Sequence, residues 1–138
     1  MQYHLHLSTT DIDTLHNHAE ASLPLEAVAL LFGLISESSI KVTRVELMHN
    51  EADSNTTSFL VNPEEQYRLL VEAEELGEHL VGIFHSHPAP PFPSSRDKQN
   101  MELNPVVWLI ASKESGDWAS KAYLLEDHQV KEVSLHLN

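Results

Sequence analysis

The sequence predicts a single α/β (α+β) domain in which strands alternate with three helices, and three observations carry that expectation. Apolar runs without alternation at residues 27–32, 80–84 and 106–111 have the character of strands covered on both faces. Three segments open with helix-capping residues and continue with apolar residues at helical spacing. Near both ends, apolar and polar residues alternate, the mark of half-buried strands. With 138 residues, 41% of them hydrophobic, and only 4 Gly and 7 Pro, the chain supports one core and no disordered tract. Residues 1–138 are therefore read as one domain.

Residues 2–8 place Tyr3, Leu5 and Leu7 on one face and Gln2, His4, His6 and Ser8 on the other. The His4-x-His6 pair is assigned to the solvated side of that strand. Thr9-Thr10-Asp11 signals the cap of a helix carrying Ile12, Leu15 and Ala19, with Pro24 ending it beyond Ser22. His16 and His18 stand two apart in this helix, on different faces, and cannot share a metal. A central strand is expected over 25–35, turned at Ser36-Glu37-Ser38-Ser39 into a hairpin partner over 40–48. Residues 50–57 read as polar loop and 58–61 as a short strand. Asn62 at the cap, Pro63 at the first position and Glu64 and Glu65 against the dipole open a second helix. Its apolar face is Leu69, Leu70, Ala73 and Leu76, and Gly77 closes it. The strand at 79–87 is followed by a stiff proline-rich loop, a short helix at 94–103, and strands at 106–111, 118–125 and 130–137. Trp108 and Trp118 are assigned to core and strand surface rather than to a ligand platform.

Charge and composition exclude several function classes. A formal net charge of −13, from 21 acidic and 8 basic residues, argues against nucleic acid and anionic membranes, which need clustered Lys and Arg. The same acidity can steer basic partners. Zero cysteines remove disulfides, thiolate metal sites and a cysteine nucleophile. The first residues, Met1-Gln2-Tyr3-His4, lack the basic and apolar pattern of a signal peptide, and no apolar run could span a bilayer. A soluble, cytoplasmic domain of unknown oligomeric state is expected.

The chemistry concentrates at Gly82-Ile83-Phe84-His85-Ser86-His87-Pro88 and its continuation to Asp97. Along a strand, residues i and i+2 point the same way, so His85 and His87 converge while Ser86 faces away. Two imidazoles and the carboxylate of Asp97 form a donor set that suits zinc, with an open fourth position for water. Hydrolysis there also needs a carboxylate to carry the proton and a donor for the oxyanion. Plainer readings exist. Ser94-Ser95-Arg96-Asp97 is also a capping-box sequence, and Glu26 could be a solvated carboxylate opening a strand. Phe92, between prolines, suits either a substrate-contacting rim or loop packing.

His85-Ser86-His87-Pro88 followed by Ser94-Ser95-Arg96-Asp97 resembles the JAMM motif of the MPN-domain metalloproteases. That motif reads His-x-His-Pro, a short loop, then Ser-x-x-Asp, with a glutamate far upstream. Pro24-Leu25-Glu26-Ala27 and Ser58-Phe59 through Asn62-Pro63-Glu64-Glu65 are similar to family segments, so the resemblance runs from about Glu26 to Asn104. It implies a sheet flanked by helices, similar to the cytidine deaminases. It implies one zinc held by His85, His87 and Asp97, Glu26 as general base and then acid, and Ser94 stabilising the tetrahedral intermediate. The implied reaction is removal of ubiquitin or ubiquitin-like modifiers, whose extended tails pair with a strand edge. The small size is similar to archaeal and bacterial members. Alternatives within and outside that chemistry are a hydrolase of small peptides or sulfur-carrier conjugates and a non-catalytic MPN scaffold, although no motif residue is missing. The family usually has ten residues between the second histidine and the aspartate, and this chain has nine between His87 and Asp97. A one-residue deletion in the proline-rich loop keeps Ser94 in place and leaves Ser95 as the alternative donor.

Overall fold

The computed structural model describes residues 2–52, 59–87, 92–114 and 116–138. Its elements are β1 (His4–Leu7), α1 (Thr9–Ser22), β2 (Val28–Ser36), β3 (Ser39–Met48), α2 (Pro63–Glu75), β4 (His79–Ser86), α3 (Ser95–Leu103), β5 (Val107–Glu114), β6 (Asp117–Glu126) and β7 (Gln129–Leu137). The strands form one mixed sheet that closes on itself in the order β1-β3-β2-β4-β5-β6-β7. Pairs β1–β3, β4–β5 and β1–β7 are parallel, and the remaining pairs are antiparallel. Because each strand has a hydrogen-bonded neighbour on both sides, the ring itself does not offer the whole open edge expected for an extended substrate.

The unalternating runs are explained by burial on both faces. Ala29 and Leu31 of β2, with Leu109 and Ala111 of β5, join a cluster with Ile12, Leu15 and Ala19 of α1. Val28, Leu30 and Phe32, with Trp108 and Ile110, join the opposite cluster with Leu69 and Ala73 of α2 and Met101 of α3. Period-2 geometry thus sends alternate residues to α1 or to α2 and α3, and both groups must be apolar.

The caps follow side-chain chemistry. Asn62 accepts from the Glu65 N–H at 3.0 Å, with Pro63 at the start of α2 and Gly77 beyond its end at φ +74°. For α1 the cap is Ser8, one residue before the predicted signal, accepting from the Asp11 N–H at 3.0 Å. Ser8 stays extended where β1 ends, so Thr9 is already helical. The β6–β7 hairpin turns at Asp127 and His128, both with positive φ, as a two-residue reverse turn requires. One expected element differs. Residues 59–61 are not a strand, and Ser58 lies outside the described residues. The Leu60 N–H is taken by the Asn50 side chain at 3.0 Å, and its carbonyl accepts from Glu51 at 2.8 Å. This segment closes a loop locally instead of joining the ladder. Among the described residues no helix is long and apolar enough to cross a membrane.

Gly33 marks the point where the β2–β3 register shifts, and a Cβ there would stand 1.9 Å from the Lys41 carbonyl oxygen. Gly77 has open space but a left-handed backbone. Gly33→Ala is therefore expected to cost about 1–3 kcal/mol or more through overpacking against backbone. Gly77→Ala should cost only the left-handed penalty of roughly 1–2 kcal/mol. Urea unfolding of the two variants checks the order.

Candidate functional site

The site forms where β2 begins and β4 ends. Val28 pairs with His85 across the antiparallel β2–β4 ladder, which brings Glu26 beside the imidazole. Two contacts lock this corner. The Ser86 N–H donates to the Ala27 carbonyl at 3.0 Å, and the Ala27 N–H donates to Ser86 Oγ at 2.8 Å. Ser86 thus turns away from the histidines and ties the peptide after Glu26 to β4. The Glu26 carbonyl accepts from Asn50 Nδ2 at 2.9 Å, while Asn50 Oδ1 takes the N–H groups of Ala52 and Leu60, each at 3.0 Å.

His85 is fully buried. Its Nδ1 lies 3.2 Å from Glu26 Oε1 and 3.3 Å from the Ser86 carbonyl. Both neighbours are acceptors, so Nδ1 carries the proton and, in the neutral ring, Nε2 keeps a lone pair. That Nε2 is buried without a hydrogen bond, and it faces Asp97 Oδ1 at 3.4 Å. His87 follows two residues later, its ring 5.7 Å from that of His85. The His87 N–H donates to the Ala111 carbonyl at 2.7 Å, and Nε2 faces Asp97 Oδ2 at 3.6 Å. Phe59 and Trp108 wall His85, with ring centroids 4.9 and 5.8 Å away, the indole edge-on. Trp108 is in the core as expected, its N–H given to the Asn104 carbonyl at 3.2 Å.

Asp97 is 5% exposed and is delivered by the first turn of α3. Here the capping box predicted as the plain alternative is present. Ser94 Oγ accepts from the Asp97 N–H at 3.1 Å, and Asp97 Oδ2 accepts from the Ser94 N–H at 2.9 Å. The cap and the approach to the histidines coexist, because Oδ1 remains directed at His85. Ser94 is half-buried at the cap, and Ser95 is exposed at the first helical position. Phe92 is exposed, with the Lys121 ammonium 5.6 Å from its ring. Pro88 and the rest of the loop to residue 91 lie outside the described residues, and His87 and Phe92 are its described ends. Those ends bring Asp97 to both histidines.

Glu26, His85, His87 and Asp97 therefore share one buried corner. Two carboxylates there face two imidazoles, and buried charge of this kind needs a compensating cation, either a proton on a ring or a metal ion. With metal–ligand bonds of about 2.0–2.1 Å, neighbouring ligand atoms in a tetrahedral site lie about 3.3 Å apart. The 3.4 and 3.6 Å separations from Asp97 to the two Nε2 atoms are close to that spacing. Among the described residues, no set of three or more His, Cys, Asp or Glu side chains is already gathered as tightly as a finished metal cage. The unpartnered Nε2 of His85 and the donor set fit a zinc ion nonetheless.

Clefts flank the corner. A narrow one of about 30 Å³ is lined by Glu26, Ser86, His87 and Trp118. Trp118 lies half-buried on the surface of β6 as expected, where its indole N–H donates to Glu20 at 3.1 Å and its ring stacks on His16. Hydrogen bonds from Lys113 and Trp118 hold the Glu20 carboxyl below its ordinary range. A wider cleft of about 150 Å³ is lined by Phe59, Leu60, Val61, Gln66, Asn100 and Trp108, among others. Sequence reasoning missed Asn50 and the part played by Phe59. A single asparagine in a polar loop carries no local mark of the three backbone groups it will hold.

Residues 9–124 match the family described as prokaryotic homologs of the JAB domain. The chain is 38% identical over 117 residues to a desampylase of Pyrococcus furiosus, covering 83% of this chain and 78% of the relative. It is 29% identical over 111 residues to a desampylase of Haloferax volcanii, covering 78% of this chain and 80% of the relative. The solution structure of a Desulfitobacterium hafniense protein superposes with a TM-score of 0.84 at 31% identity, over 97% of this chain and 92% of that one. A Salinibacter ruber protein shares the fold alone, with a TM-score of 0.69 at 19% identity over 100% of this chain and 92% of that one.

Ser86→Ala leaves the buried Ala27 N–H unsatisfied and is expected to cost about 1–3 kcal/mol. Asn50→Ala removes at least the three hydrogen bonds to Glu26, Ala52 and Leu60 and should cost more. Urea midpoints of the two variants against the parent check this order.

Proposed function

The chain belongs to the family of prokaryotic homologs of the JAB domain, and on that footing we propose that it is a zinc-dependent isopeptidase removing ubiquitin-like modifiers from their conjugates. The observation that carries the reading is His85, buried with a carboxylate at each ring nitrogen and a lone pair directed at one of them. A divalent cation held by these residues would turn that repulsion into attraction.

His85, His87 and Asp97 would hold the zinc, and three protein ligands leave a position open. Zinc, when bound, supplies the Lewis acidity that acidifies a water and polarises the scissile carbonyl. Glu26 takes the proton of the attacking water and returns it to the leaving amine nitrogen. The Glu26 backbone is fixed on both sides of its carbonyl, by Asn50 and Ser86, so the carboxylate is held in place for both transfers. Ser94 accepts the Asp97 N–H through its lone pair, which leaves its own O–H to donate to the developing oxyanion. The cleft beside Phe59 and Trp108 suits an extended modifier tail, and the relatives named desampylase support a modifier conjugate as the substrate. The cytoplasm suits a cysteine-free hydrolase of such conjugates.

Metal analysis and cleavage of an isopeptide-linked modifier conjugate test this together. One zinc per chain is expected at this corner, with activity removed by a chelator and restored by zinc. Glu26→Gln should keep the zinc of this corner and lose roughly 10²–10⁴-fold in rate, while His85→Ala should lose both that corner's zinc and the activity. A metal-free parent protein, or an active His85→Ala variant, overturns the reading. Cleavage of short peptides but not of folded conjugates would move the substrate to small peptides. Zinc with no turnover on either would favour a scaffold.

A further inference from the structure

The other His-x-His pair was expected on a plain solvated face, and the barrel's closure alters that setting. In the parallel β1–β7 pairing, His6 stands directly opposite His136, and His4 lies two residues before His6 on the same face. The three rings gather there. His4 Nδ1 and His136 Nε2 are 2.9 Å apart. The His6 and His136 rings stack with centroids 4.6 Å apart, and those of His4 and His136 are 5.0 Å apart.

We propose that His4, His6 and His136 form a second transition-metal site, taking Zn²⁺, Ni²⁺ or Cu²⁺ and joining the first strand of the barrel to the last. Two strand positions i and i+2 with a cross-strand neighbour present three imidazoles to one point, and three histidines are a complete protein ligand set with a position left for water. A donor set of imidazoles alone selects these ions over Mg²⁺ and Ca²⁺, which prefer oxygen. Ligand nitrogens in a tetrahedral site lie about 3.3 Å apart, so the 2.9 Å pair needs to open by only a few tenths of an ångström. The His6 ring stacks within 14° of parallel on that of His136 and stands 6.4 Å from that of His4, so His6 must turn to aim a nitrogen at the same point, at a surface where His4 and His6 are half-buried and His136 is exposed. Lys41 occupies the register position beside His6 on β3, and its exposed side chain can extend away from the rings. The net charge of −13 favours a cation on this surface.

The site is independent of the corner at His85, and zinc alone is a sufficient probe. Chelator-stripped protein dialysed against zinc is expected to hold one more equivalent per chain than His136→Gln or His6→Ala. The His85→Ala protein should retain that extra equivalent, which separates this site from the proposed catalytic one. Removing a ligand should weaken binding by at least the roughly 10–100-fold that losing an outer partner costs. The zinc-induced rise in Tm should be smaller in the variants than in the parent, since the metal binds the folded pairing of β1 with β7. In nitrogen-resolved NMR, the ring resonances of His4, His6 and His136 should shift together as zinc is added. Equal zinc content in parent and variants, or ring resonances that stay in place, overturns the proposal.

Discussion

The register of β2 against β4 is the constraint on which the site depends. Val28 opposite His85 sets Glu26 beside a ring nitrogen, and Ser86 bonds the Ala27 peptide in both directions. A slip of one residue would turn His85 to the other face and exchange every core contact of the strand. The hydrophobic clusters forbid that slip, because Phe84 packs on the α1 side and Ile83 on the side of α2 and α3. Burial of ordinary apolar residues thereby sets the 3.2 Å approach of Glu26 to the His85 ring. The shift in register between Leu31 and Phe32 lies away from this corner, so the ladder from Val28 to Leu31 stays regular where the chemistry needs it.

The third and fourth groups arrive by a different route. His87 is beyond the β2–β4 ladder and is positioned from the other side, by its N–H on Ala111 of β5. Asp97 belongs to no strand. The first turn of a nine-residue helix carries it, and its carboxylate is oriented by the Ser94 N–H. One oxygen thus serves the helix cap while the other faces His85, so the structural and the functional readings of the Ser-x-x-Asp stretch are not rivals. A cap is a strong way to aim a carboxylate, because an N-terminal helix turn favours negative charge and fixes its direction with a backbone bond.

Most of the fold was legible because it is written locally. The cap at Asn62, the stop at Gly77 and the unalternating run of β2 each depend on neighbours within a few residues. The site was legible for the same reason over its longest part, from His85 to Asp97. What could not be read is what long-range pairing decides. β1 meets β7 across nearly the whole chain, and no periodicity in either strand names its partner. Residues 59–61 have strand-forming composition, yet Asn50 captures the Leu60 N–H and Phe59 is drawn onto His85. A tertiary contact won over a local preference there.

The two His-x-His pairs share a strand geometry and differ in what surrounds them. Around His85 and His87 the walls are apolar and the neighbours are buried carboxylates, so the two rings face acidic groups inside the protein. Around His4 and His6 the neighbour is a third imidazole at the solvent edge, able to satisfy itself through a ring-to-ring hydrogen bond. The spacing of the histidines therefore fixes only that two rings converge. Burial and the sign of the neighbouring charge separate the end of β4, where two carboxylates face buried rings, from the solvent edge on β1, where a ring faces a ring.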